Sequence, residues 1–150
     1  SGYNACCKMF DEIKTIISLY RRFDRYKRYS DKDLLFHILP SYQLKQYKLH
    51  KQGDEVIAFT NWAFLNNDAQ NRFISTGKIA SKDWNSGDNV WHIDTICVKN
   101  IRKVMSWTKE HFKKILKVNQ PLNWLRLDDN NVVYRKAMKF KREFHNKGKI

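Results

Sequence analysis

The chain has 150 residues, 42% hydrophobic and 14% aromatic, enough apolar material for one folded domain and too much for a disordered tail. No apolar run approaches a membrane span and no signal-peptide pattern opens the chain. The three cysteines, two of them the adjacent Cys6 and Cys7, exclude a disulfide framework, so a reduced, cytoplasmic protein is expected. The net charge of +14 draws acidic partners, and nucleic acid, acidic proteins and anionic membranes all satisfy the same physics.

Ser1-Gly2 reads as a cloning scar and is set aside. Residues 8–23 repeat apolar side chains at helical spacing (Met9, Ile13, Ile16, Ile17, Tyr20), which predicts an amphipathic helix. The stretch 24–40 turns from polar to apolar. Ser30 or Asp31 is the expected N-cap, with Asp33 in the first turn and Pro40 at the end. Residues 46–65 read as a hairpin turning at Gln52-Gly53-Asp54, its second strand running from about Val56 to Leu65. Residues 67–77 form a short helix or loop, helical around Ala69 to Ile74. A turn at 83–88 leads into a strand over 89–98. Residues 101–117 are an amphipathic helix with Val104, Trp107, Phe112, Ile115 and Leu116 on the core side. Another strand follows in "PLNWLRLDD", and then the basic segment 132–150. With no repeat or linker, residues 1–150 are one domain. The order implies an α+β fold, a mixed sheet flanked by helices with one βαβ unit, which is also the order of acetyltransferase-like (GNAT-like) folds.

Asp94 stands out, a carboxylate between Ile93 and Thr95 in the β-branched run "NVWHIDTICV". Burying it is costly unless something pairs with it or uses it. Strand side chains alternate, so His92 is expected on the same face, roughly 6 to 7 Å away. The histidines are scattered, and no metal-ligand spacing exists.

The phrases "FHILPSYQLKQYKL", "IAFTNWAFLN", "KDWNSGDNVWHIDTI", "LRLDD" and "EFHNKGKI" together resemble the toxin-activating lysine acyltransferases, the haemolysin-activating type. The spacing Trp84-x-x-Gly87-Asp88-x-x-Trp91-x-x-Asp94, with Pro40, Tyr47 and Trp62 upstream, is the specific part. The resemblance implies an acetyltransferase-like fold and a cytoplasmic, dimeric enzyme. Such an enzyme moves a fatty acyl group from acyl carrier protein to an internal lysine of a protein. No cofactor is permanently bound, the donor being the carrier's phosphopantetheine thioester. It also implies that Asp94 is catalytic and acts with a histidine near the start of the second helix. The chemistry asks for such a base, because a lysine ammonium cannot attack a thioester until it loses its proton.

That histidine is missing: its place falls at about Tyr26, and no histidine precedes His37. His92 is the first substitute, through strand alternation. His37 is the second, although a single helix through residues 26 and 37 would hold them roughly 16 Å apart. His145, in "EFHNKGKI", is held in reserve. For the donor, the strand end and helix start at Ile96, Cys97, Val98, Lys99, Arg102 and Lys103 lack the glycines of a pyrophosphate cradle. Their cations suit a phosphopantetheine phosphate and an acidic carrier. The three tryptophans of the motif region, Trp62, Trp84 and Trp91, are expected to shape the core and an acyl groove. Two alternatives stand beside this reading. One is an inactive member of the fold that only binds carrier or target protein. The other is a nucleic-acid-binding protein, resting on charge and on the basic-aromatic run at 19–29.

Overall fold

Helix boundaries follow from which side chains satisfy the end amides and carbonyls. The computed structural model describes residues 2–141, the side chain of Tyr3 excepted. Helix α1 covers Gly2–Tyr20 and α2 covers Asp31–Gln43. Ser30 caps α2: its Oγ accepts from the Asp33 N–H at 3.0 Å, and Asp33 accepts back from the Ser30 N–H at 3.4 Å. Pro40 does not end this helix, contrary to expectation. It lies inside the last turn, where its own carbonyl accepts from the Leu44 N–H. The Phe36 carbonyl, which the proline leaves without its helical donor, belongs to a residue that faces solvent.

Strands β1 (Tyr47–Gln52) and β2 (Glu55–Leu65) form the hairpin. Helix α3 (Asn67–Thr76) starts with the Asn66 side chain accepting from the Ala69 N–H at 2.8 Å. It stops at Gly77, whose φ of 72° is the left-handed cap that glycine adopts without penalty. Strand β3 (Asn89–Cys97) then leads into α4 (Ile101–Ile115) and β4 (Leu122–Leu127). A further strand, β5 (Val133–Met138), lies in the basic segment, where none was expected. All six of its residues are exposed, so no buried face imposes the two-residue alternation that reveals a strand in sequence.

The five strands lie in the order β1-β2-β3-β4-β5, antiparallel except for β3 and β4. The α+β class and mixed sheet match the sequence reading. Helices α1 and α2 pack Ile16, Tyr20, Leu34 and Ile38 on Phe59 and Ile96 of one sheet face. Helix α3 adds Phe73 to Trp84 and Trp91. Helix α4 covers the opposite face with Phe112 and Leu116 against Trp62 and Val90. Each fully buried side chain of this size is worth about 1.5–3 kcal/mol. Among the described residues, no helix is long and apolar enough to cross a membrane.

Candidate active site

Asp94 reaches its position through an irregularity. On β2, Asn61 pairs with Asp94, yet the next residue, Trp62, pairs with His92, so Ile93 is an extra residue without a partner opposite. The bulge reverses the alternation. Ile93 and Asp94 both face the side of α1, α2 and α3, and His92 faces α4. The Asp94 N–H, out of the ladder, donates instead to Asn61 Oδ1 at 2.9 Å.

The Asp94 carboxylate meets two donors on one oxygen. The Tyr20 hydroxyl of α1 donates to Oδ2 at 2.7 Å, and His37 Nε2 of α2 lies 2.6 Å from the same atom. Burial alone would raise the Asp94 pKa, but the facing imidazole, the two hydrogen bonds and the charge of Arg25 hold it below the ordinary carboxylate value. Burial likewise pulls the His37 pKa down, and the charge and hydrogen bond of Asp94 outweigh it, leaving the imidazole more basic than usual. Burial first, then the Asp94 charge, raises the pKa of Tyr20 and of Tyr26. With Asp94 ionised, Nε2 is the donor and Nδ1 of the neutral ring is left as an acceptor. The Asp94 side chain is 12% exposed and that of His37 38%, so the imidazole can be reached while its partner is sheltered.

Tyr26 does not share a helix with His37, so the spacing of a single helix through both does not apply. It lies in a 3₁₀ turn, Asp24–Tyr26, that folds the chain back between α1 and α2. Its ring centroid is 6.4 Å from that of His37, against the roughly 16 Å of a continuous helix. The imidazole thus comes from α2 into the neighbourhood where the resemblance placed a histidine at residue 26.

Both partners open onto a cleft of about 770 Å³. Its walls include Leu34, Phe73, Trp84, Ile93, Leu125 and Val133, and it also touches Arg25, Lys78 and Arg126. The cleft follows from the sheet. Strands β3 and β4 pair only at Val90↔Leu122 and Trp91↔Asn123, and then part.

His92 feels the Asp94 backbone and charge but does not meet its carboxylate, which corrects the expected shared face. Its Nε2 lies 2.7 Å from Thr95 Oγ1 and its ring packs on Phe112, with a pKa that burial pushes down to about 4. None of Ile96, Cys97, Val98, Lys99, Arg102 and Lys103 lines the cleft. Ile96 and Val98 pack with α1 and α2, and the Cys97 thiol donates to the Lys99 carbonyl at 3.1 Å. Lys99 pairs with Glu55, and Lys103 donates to the Lys51 carbonyl. His145 lies outside the described residues. Of the motif tryptophans, Trp84 lines the cleft, Trp91 donates to Gln70 Oε1 at 2.8 Å, and Trp62 is core on the α4 side. Gly87 is required by contact: a Cβ there would sit 2.5 Å from Asn66 Cα. Sequence reasoning missed Tyr20, Asn61, Arg25, Lys78 and Arg126. Asn61 carried a signal, being a polar residue in the middle of the apolar run "IAFTNWAFL". Among the described residues, no group of three or more His, Cys, Asp or Glu could hold a metal ion.

The model of the RTX toxin acyltransferase family matches residues 7–141. Similar proteins include the RTX-II toxin-activating lysine-acyltransferase of Actinobacillus pleuropneumoniae, 28% identical over 88 residues, which are 58% of this chain and 55% of the relative. The leukotoxin-activating lysine-acyltransferase (serotype T3) of Mannheimia haemolytica is 30% identical over 88 residues, 58% and 53% of the two chains. A protein-lysine myristoyltransferase of Kingella kingae is 26% identical over 106 residues, 65% and 64%. The chain spans about half the length of the first two relatives.

Proposed function

The chain belongs to the RTX toxin acyltransferase family, and from that premise we propose that it acylates an internal lysine of a target protein, with acyl carrier protein as the donor of the fatty chain. The observation that carries this reading is His37 Nε2 at 2.6 Å from Asp94 Oδ2 on the wall of the cleft. The pair supplies what the reaction needs. His37 lines the cleft, and its Nδ1, the ring nitrogen not engaged by Asp94, removes the proton from the target ammonium while Asp94 holds the ring tautomer and stabilises the imidazolium. The amine then attacks the thioester carbonyl, the C–N bond forms, and the tetrahedral oxyanion collapses with loss of the carrier thiolate. The C–S bond breaks as the C–N bond is kept, the nitrogen gives up its second proton to solvent, and the thiolate takes the first from His37, leaving amide, thiol, one released proton and a neutral imidazole. The edge of β3 past Trp91, unpaired with β4, offers backbone amides as candidate donors for the oxyanion.

The apolar walls suit the acyl chain, and the gap between the parted strands β3 and β4 is the route we assign to the donor. Lys78 and Arg126 have no ion pair among the described residues, unlike Lys99, so we assign the carrier's phosphopantetheine phosphate to the cleft cations. The net charge of +14 steers an acidic carrier toward them. The same reading places the reaction in the cytoplasm, where loaded carrier is made. The case for a binding protein without turnover rested on the missing histidine, and His37 supplies an imidazole.

The test mixes acyl carrier protein bearing a labelled chain with the protein and a crude bacterial lysate, then locates acylated residues by mass spectrometry. Hydroxylamine-stable label on lysines, lost with Asp94→Asn, is the expected result. A carrier that binds and keeps its chain through many hours would sink the transferase reading.

A further inference from the structure

One buried polar residue beside the site hydrogen-bonds to neither the Asp94 carboxylate nor the His37 imidazole. Asn61 is fully buried on β2, directly across from Asp94 at the bulge. Its two amide atoms are used in opposite directions. Oδ1 accepts from the Asp94 N–H at 2.9 Å, and Nδ2 donates to Ser41 Oγ at 3.0 Å. Ser41, also fully buried, in turn donates to the Ile38 carbonyl at 3.1 Å. One continuous hydrogen-bonded tie therefore runs from the backbone of Asp94 in β3 to α2, ending one residue from His37.

We propose that Asn61 is a positioning residue of this site, which holds the β3 bulge open toward α2 and fixes the Asp94–His37 separation through Ser41. The argument rests on bond inventory and on register. A bulge frees an amide that the ladder no longer satisfies, and a buried amide without a partner is costly. Asn is the short side chain that can accept from that amide and still donate onward. An apolar residue of similar size would satisfy neither, and regular pairing, which turns Asp94 away from α2, would become the better alternative. Ser41 makes the link specific to the helix that carries the imidazole. Asn61 thus acts on the two reacting groups together and contacts no substrate.

This inference rests on the acyl-transfer reading for its rate measurement, and on geometry alone for its spectroscopic one. The experiment compares wild type, Asn61→Leu, Ser41→Ala and, as a stability control, Val104→Ala. Val104 is a buried residue of α4, packed on Ile57 and Ala58 of β2 and outside the site. Thermal unfolding, the His37 titration followed by the imidazole NMR signals, and single-turnover acyl transfer from acyl carrier protein are measured on each. In Asn61→Leu the His37 pKa is expected to fall back toward that of an ordinary imidazole. Transfer should drop by roughly 10²-fold, the scale of loss when reacting groups are displaced by about 1 Å. Ser41→Ala, which keeps the Asn61–Asp94 bond, moves both readouts in the same direction by less, and it carries the test if Asn61→Leu does not fold. Val104→Ala lowers the melting temperature and leaves the His37 titration in place. The proposal is overturned if Asn61→Leu and Ser41→Ala lose stability as Val104→Ala does while the His37 titration stays at its wild-type position. A shifted titration in a protein whose wild type never transfers an acyl chain would uphold the tie and reject the assigned reaction.

Discussion

Tyr20→Phe isolates one bond of the site. The hydroxyl is fully buried and donates at 2.7 Å to the carboxylate oxygen that also meets His37. Phenylalanine fills the same envelope, so the loss is that of a hydrogen bond to a charged acceptor, roughly 1.5–3 kcal/mol. Asp94 keeps its contact with His37, which puts the expected loss near the lower end, about 1.5–2 kcal/mol. For a chain of this size, about 2–4 °C per kcal/mol turns that into a fall of about 3–8 °C in melting temperature. The pH dependence is the sharper signature. The folded-state pKa of Asp94 is lowered, so its contribution to stability is present above the unfolded value of about 3.9 and lost as pH falls through the folded value. The difference between wild type and Tyr20→Phe is therefore full between about pH 5 and 7 and narrows below about pH 4. Urea unfolding across that range measures it. A gap that stays constant with pH, or one below about 0.5 kcal/mol at neutral pH, would refute the assignment of the hydroxyl to the carboxylate.

Other outcomes follow from the same structure. Gly87→Ala places a Cβ 2.5 Å from Asn66 Cα and 2.6 Å from Asn66 N, contacts that only a backbone shift relieves. A loss of about 1–3 kcal/mol is expected by urea unfolding, and a loss below about 0.5 kcal/mol would show the contact to be relieved elsewhere. His50 and His92 have folded-state pKa values pushed down to about 4 by burial, so the unfolded chain takes protons that these imidazoles refuse. Their effect is a loss of stability as pH falls from about 6.5 to 4, whereas His37, whose pKa is raised, adds stability as pH falls toward about 6.5 and nothing further below it. His50→Gln, which keeps a partner for Thr60, flattens that decline, and an unchanged slope would count against the buried neutral ring. Charge reversal at Lys78 and Arg126 together weakens carrier binding by titration calorimetry more than reversal at Lys99 and Arg102; the opposite ranking moves the donor phosphate to the start of α4.

Much of the fold was readable because burial imposes period. The apolar stripes of α1 and α4, the hairpin turn and the apolar run of β3 marked these elements, and their positions match the structure to within a few residues except that α1 starts at Gly2, six residues before the stripe. Strand β5 escaped because neither of its faces is buried. Pro40 misled because a proline in a helix's last turn costs only a carbonyl partner, which solvent replaces. At the site, Asp94 was visible as a charge in an apolar strand, whereas its partner was not. Choosing His92 relied on unbroken alternation, and the unpaired Ile93 breaks it. Ranking His37 second relied on one helix through residues 26 and 37, and the turn at Asp24–Tyr26 breaks that too. Both geometric premises failed for one cause. A single inserted or turning residue changes which side chains meet, and local pattern holds no record of it.

The most direct test of the account is the single-turnover rate of acyl transfer to a lysine-bearing target as a function of pH, for wild type and His37→Gln. If His37 is the base, the wild-type rate rises with pH through a pKa above that of an ordinary imidazole, because Asp94 favours the charged ring. His37→Gln should lose roughly 10²- to 10⁴-fold and the pH step with it. A variant that keeps both its rate and its pH step would show that the proton goes elsewhere, and the pairing of His37 with Asp94 would be structural alone.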